Sequence, residues 1–224
     1  MEAIYDQAEV LAQVYTEVQK RFKQFVDLAH GWEHISRVYQ TALYLAEREG
    51  ADSFVVGMAA LMHDLGHTIA ADEAESKRHH VDHSLTLASE IMQAHAIPDN
   101  QQKAILHAIL AHSFSRGIKA ETVEAYVVQD ADRLDALGAL GIMRWAVTGA
   151  QLATAEAQPY EPEDPFGEHH TLDDRRYMLD HFFSKLLRIG ETMKTETGRQ
   201  LAQSRTEFMR LYLHEFKQEL ELTR

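Results

Sequence analysis

Three separated groups of residues are chemically suited to hold one metal ion together: His34 in GWEHISRV, the adjacent His63 and Asp64 in LMHDLGH, and Asp132 in VVQDADRLDALG. Imidazole nitrogen and carboxylate oxygen suit a borderline or harder divalent cation, and four protein ligands on an octahedral ion leave positions for water and substrate. Such a site is a working one rather than a closed structural one. Thiolate has no part in it, because the chain contains no cysteine. Fourteen histidines in 224 residues are about twice the roughly 2–3% of ordinary composition.

Each group also has a plainer reading. His34 heads a helical stripe with Val38, Thr41 and Leu45, which fits an inward-facing ligand or a core or capping histidine. His63 and Asp64 close the apolar run FVVGMAALMHDLGH. A buried carboxylate there needs compensating charge, and the run has no Lys or Arg to supply it. A divalent cation is one answer; an exposed helix end is the other. Asp132 lies within an apolar stripe with Val128, Asp135 and Ala136, although a salt bridge to Arg133 would account for it structurally. Asp130 lies off that stripe and reads as an exposed neighbour.

Helices must position all of these residues. Apolar residues recur every three or four positions almost throughout, interrupted by only four prolines, so the fold class is all-α. The spacing predicts helices at 3–28, 33–49, 52–65, 78–95, 99–112, 120–134, 136–148, 171–196 with a break near Gly190, and 198–221. Gly50 and Pro98 mark helix boundaries. Residues 149–170 carry three of the four prolines and several acids, as a mobile surface loop or lid would. The length fits a single domain over 1–224 with an ample core.

Composition excludes several classes. A net charge of −13 argues against duplex nucleic acid, which needs clustered Lys and Arg. The acidic, amphipathic N-terminus is unlike a signal peptide, and no stretch is apolar enough to span a membrane, so the expectation is a cytoplasmic protein with no membrane partner.

Taken together, His34, His63–Asp64 and Asp132 resemble, in order, the pattern of the HD superfamily of metal-dependent phosphohydrolases. The surrounding text, GWEHISRV, AALMHDLGH, VVQDADRLDALGALGI and the later MKTETGRQLAQSRTEFM, is similar to a bacterial branch associated with nucleotide pyrophosphohydrolase activity. The likeness covers about residues 20–215. It implies an all-helical HD fold with one divalent metal on His34, His63, Asp64 and Asp132. Manganese is the first expectation, with Ni, Fe, Co, Zn or Mg as alternatives. It implies hydrolysis of a phosphate ester or anhydride in a small phosphorylated substrate such as a nucleotide.

Further candidates surround this set. His83 heads a stripe with Leu87 and Ile91, and His112 follows Ile105 and Ile109 on one face. Some HD proteins hold a second metal with two histidines in this region; the favoured reading here is that His83 and His112 bind phosphate or support the first ligands. Arg37, one turn from His34, is a candidate phosphate anchor, as are Lys77 and Arg78. Asp72, Glu73 and Glu75 compete for the role of a catalytic acid beside Asp64. His67 follows Gly66, where it would reach substrate or cap the helix, and His79, His80, His169 and His170 read as solvated. The expected reaction is cleavage of a (deoxy)nucleoside triphosphate to monophosphate and pyrophosphate by a metal-activated water, assisted by Asp64, His83, His112 and Arg37. The alternatives are a nucleotide monophosphatase or phosphodiesterase, or a nucleotide-sensing module without turnover. A homodimer is compatible with all of them.

Overall fold

The structure, a computed structural model, describes residues 6–25, 27, 29–70, 73–113 and 116–222, with the side chains of 73, 74, 76 and 77 also left outside it. Asp72 and the side chains of Glu73 and Lys77 therefore lie outside the described residues. Among the described residues there is no strand, only an isolated bridge between Gln158 and Tyr177, and no helix is long and apolar enough to cross a membrane. The fold class is all-α.

The chain divides into two compact units, Met1–Asp132 and Arg133–Arg224. In the first, α3 (Ser53–Met62) is the central element. Every residue from Phe54 to Met62 is buried, as expected of a helix that is apolar all round. It starts at Asp52, whose carboxylate accepts the N–H groups of Phe54 and Val55 and so caps the helix. Around it pack α1 (Gln7–Phe22), α2 (Trp32–Glu49) and α5 (Asp99–His112). Helix α1 offers Val10, Val14, Val18 and Phe22 as a strict four-residue stripe. It stops at Phe22 rather than 28 because the chain next turns around Asp27, whose carboxylate takes the N–H groups of Ala29 and His30 at 2.7 and 3.0 Å. Helix α2 ends at Gly50, whose φ of 68° is the left-handed conformation that glycine adopts without strain.

After α3 the chain enters a short 3-10 turn, Leu65–Thr68, against which α4 (Glu73–Ala94) packs. A Cβ on Gly66 would collide with the His80 carbonyl, so the contact is backbone against backbone. The Gly66 N–H donates to the buried Ser84 hydroxyl at 2.8 Å. Helix α4 starts at Glu73, earlier than the expected 78, which places His79 and His80 inside it. Helix α6 (Val123–Asp135) is held by Gln129 on the Ala111 carbonyl at 2.8 Å and by Glu124 on the Asp52 N–H at 3.2 Å.

In the second unit α7 (Gly138–Leu152) packs against α9 (Glu196–Leu222). The helix expected at 171–196 is not continuous. A π-helical turn (Phe182–Leu186) runs into α8 (Leu187–Ile189) and a 3-10 turn (Gly190–Thr192), and the chain before it is irregular. The reason is competition for its backbone donors. The N–H groups of Met178 and Leu179 donate to the Gln158 and Pro159 carbonyls at 3.0 and 2.9 Å, and the fully buried Asp180 takes that of Asp173 at 2.8 Å; just before this span Asp164 accepts the N–H groups of Glu168, His169 and His170 at 3.0, 2.7 and 2.9 Å.

His170, expected to be solvated, is clamped instead, with its two ring nitrogens each 2.9 Å from a carboxylate oxygen of Asp164 and Asp180. The hydrogen bond to Asp180, then that to Asp164, raises its pKa above the ordinary value, and Tyr177 packs edge-on against the ring. A raised pKa means stabilisation that is complete below the unfolded value near 6.5 and lost as pH rises through the folded one. The melting temperature is therefore expected to decline above pH 6.5, and His170→Gln to show a shallower decline. Equal slopes in a melting series from pH 6 to 9 would refute the clamp.

Candidate metal centre

His63 sits at the C-terminal cap of α3, and its Nδ1–H donates to the Ala60 carbonyl at 2.8 Å. That bond fixes the ring and leaves Nε2 with a lone pair directed away from the helix. His63 Nε2 is buried and has no hydrogen-bond partner. Next to it, Asp64 turns its two carboxylate oxygens toward different imidazoles. Oδ2 lies 3.4 Å from His63 Nε2 and 3.7 Å from His34 Nε2, while Oδ1 lies 3.5 Å from His112 Nε2 and 3.6 Å from His67 Nε2. Asp132, on α6, places Oδ1 3.5 Å from His34 Nε2 and 4.0 Å from His63 Nε2.

These separations are too long for good hydrogen bonds and match those between neighbouring ligands of one cation, roughly 3 to 4.5 Å for bonds of about 2.1 Å. Ligand atoms of His34, His63 and Asp132 all lie within 4.8 Å of one another, as do those of His63, Asp64 and His112. Together with the orphaned His63 nitrogen and the nitrogen and oxygen donor set, this fits a divalent ion. Three of the four side chains are sealed, His34 at 1%, His63 at 0% and Asp64 at 8% exposure, whereas Asp132 is 28% exposed and forms the open edge. The Arg133 guanidinium donates to the Thr192 carbonyl at 3.0 Å.

The electrostatics agree with the geometry. Burial raises the Asp64 carboxyl, but the imidazoles of His63, His67, His112 and His34 around it outweigh that and hold the group ionised. Asp132 is likewise lowered against the effect of burial by His63, His34 and His112. Burial keeps His63 neutral and pushes His67 down to about 4. For His112 burial is overcome by Asp64, which raises its pKa, and its Nδ1–H is fixed on the Ile109 carbonyl at 2.5 Å.

Not every expected residue joins the cluster. His83 keeps its Nε2 3.9 Å from Glu75 and its buried Nδ1 without a hydrogen-bond partner, and it belongs to none of the potential metal groups among the described residues. Arg37 is partly buried, one turn beyond His34 on α2. Arg78 is exposed. Asp130, expected to be exposed, is fully buried, because α6 packs on more than one face from Ala125 to Ala131. His80 is also not a solvated helix start. Its ring stacks on His67 at 4.6 Å, and with Asp64 and His67 it forms a third close group of potential ligands.

Comparison with known proteins places this geometry in a family. The HD domain family matches residues 31–137, a span that contains all four clustered ligand candidates. YpgQ of Bacillus subtilis is 33% identical over 196 residues, covering 85% of this chain and 84% of its own. The crystal structure of YpgQ in complex with ADP superposes with a TM-score of 0.71 at 32% identity over 95% of this chain and 96% of that one. A Bacillus thuringiensis protein described as an HD-superfamily hydrolase gives a TM-score of 0.73 at 29% identity, over 96% and 99% of the two chains. The chain belongs to the HD superfamily.

Proposed function

We propose that the protein is a metal-dependent phosphohydrolase of small nucleotides, and that its first substrates are (deoxy)nucleoside triphosphates cleaved to monophosphate and pyrophosphate. The observation that carries this reading is the sealed cluster of His34, His63 and Asp64 with a single open edge at Asp132. ADP bound to YpgQ supports a nucleotide as the ligand. We propose manganese as the ion and 1–224 as one HD domain.

A divalent ion on His34, His63, Asp64 and Asp132 supplies a Lewis acid and lowers the pKa of water toward neutrality. The chain's own groups supply the rest. Asp64 remains anionic, and its neighbour His112 holds a proton at Nε2 while Nδ1 stays anchored on Ile109; that proton is available to a departing phosphate oxygen. Arg37 provides fixed positive charge for a phosphoryl group in a protein of net charge −13. His83, away from the cluster, steadies the substrate through its free edge rather than through the ion.

A panel of nucleotides incubated with manganese and assayed separately for pyrophosphate and orthophosphate tests the reading. Pyrophosphate from triphosphates is the expected product. Orthophosphate from monophosphates would favour a monophosphatase. Nucleotide binding by calorimetry without any product would favour a sensing module. His112→Ala is expected to lower kcat about 100-fold with little change in KM; an unchanged kcat would remove His112 from proton transfer.

A further inference from the structure

The second unit carries a run of positive charge that stands out in an acidic chain. From Arg175 to Arg188 the sequence holds four Lys or Arg and one acid, Asp180, which is fully buried. Other basic side chains find partners among the 35 acids: Arg21 pairs with Glu17, Arg199 with Glu196, Arg116 with Asp82, Arg144 with Asp135 and Lys217 with Glu168. Lys185 and Arg188 do not. Both are exposed, and among the described residues neither makes an ion pair or a side-chain hydrogen bond. Lys185 is near enough to Asp174 to act on its charge, but outside ion-pair distance.

These side chains stand on a fixed support. They are presented by the π-helical turn Phe182–Leu186 and by α8, which follows it; π turns are rare and occur mostly at functional sites. The apolar side of the turn is anchored, with the Phe182 ring 4.8 Å from Trp145 and 5.9 Å from Tyr212, and the Phe183 ring 6.3 Å from Phe166. His181, Lys185 and Arg188 follow one another at intervals of four and three residues, which makes them neighbours on one face. His181 is oriented from beneath. Its Nδ1–H donates to Asp174 Oδ2 at 2.7 Å, and the Ser184 hydroxyl donates to the same oxygen at 3.4 Å. The opposite ring nitrogen, Nε2, remains for a ligand, and the side chain is 28% exposed. We propose that His181, Lys185 and Arg188 form a binding site for the phosphate chain of a nucleoside polyphosphate.

The donor set selects the ligand. Ammonium and guanidinium groups only donate, and with an imidazolium edge they suit an anion that offers several oxygens at once. Asp174 supplies the counter-charge that the imidazolium needs on its inner side. Positions 181 and 188 are seven residues apart, about 10 Å along a helix axis, which is the extent of one short polyphosphate. A nucleic-acid strand or an acidic peptide would continue past the patch and meet the field of a chain with net charge −13.

The proposal rests on the nucleotide reading for the identity of the ligand, but its test does not depend on turnover. Inorganic pyrophosphate is titrated calorimetrically into the full chain at low salt, with a chelator present so that no metal ion carries the anion. Wild type is expected to bind. Lys185→Ala and Arg188→Ala, each checked for fold by circular dichroism, should each weaken binding about 10-fold, while Arg210→Ala, at another exposed arginine of the same unit, leaves it unchanged. If the bound chain belongs to the substrate, KM for a nucleoside triphosphate rises by the same factor and kcat changes little. If it belongs to a separate effector nucleotide, KM holds while pyrophosphate binding weakens. Equal affinity in wild type and in the Lys185→Ala, Arg188→Ala double variant would overturn the site, as would no binding of millimolar pyrophosphate to wild type. No turnover of any nucleotide, with pyrophosphate binding still dependent on Lys185 and Arg188, would remove the hydrolase reading and leave the site standing.

Discussion

Asp64→Asn is expected to lower manganese-dependent turnover by about 1,000-fold or more while leaving the helical fold intact. Asp64 is the one carboxylate in the cluster that faces four imidazoles, two from each oxygen. The amide keeps its shape and removes the charge, so a cation loses its strongest buried partner. Loss of a single preorganised charge-stabilising group already costs roughly 100- to 1,000-fold, and loss of the ion removes more. Stability gives a second readout. Manganese at 100 times its Kd should stabilise wild type by about 2.7 kcal/mol, or about 5–10 °C in melting temperature for a chain of this size. The variant should show almost no such shift. A variant that keeps both full activity and the thermal shift would exclude Asp64 from the metal site.

Gly66→Ala is expected to be the most disruptive single methyl in the first unit. The added Cβ would overlap the His80 carbonyl and approach the His83 Cβ to 2.8 Å, and a backbone obstacle cannot rotate away as a flexible side chain would. Overpacking of this kind costs about 3 kcal/mol, equivalent to a fall of roughly 6–12 °C in melting temperature. Gly50→Ala is the control. It adds no contact within 4 Å at a φ of 68°, so only backbone strain of about 1 kcal/mol is expected. Similar losses in both variants, measured by thermal or urea unfolding, would mean that the 3-10 turn and α4 separate easily and that Gly66 does not lock them.

Much of the site was legible because its residues break local patterns. A His–Asp pair at the end of an apolar helix and an aspartate within an apolar stripe are conflicts that a periodicity argument detects, and the structure brings them together with His34. His80 left no such signal, since its place beside Asp64 depends on a turn packing against α4 through Gly66. A glycine two residues after a buried acid was the available hint of close backbone approach. Asp130 was misplaced because a stripe argument assumes one buried face, and α6 has more. The helix expected from 171 failed for a different reason: Asp180 and the Gln158 and Pro159 carbonyls draw the N–H groups of Asp173, Met178 and Leu179 out of helical pairing, and helical spacing of apolar residues does not register that competition.

The complete burial of α3 from Phe54 to Met62 has a kinetic corollary for a metal ion held at its end. Amides in a segment enclosed by α1, α2 and α5 exchange with solvent only when the surrounding structure opens cooperatively. His63 and Asp64 follow this segment directly, so local fraying of the helix is not available as a route for metal release. Low concentrations of urea should therefore leave the metal off-rate unchanged until α3 itself begins to exchange, and the two rates should then rise together.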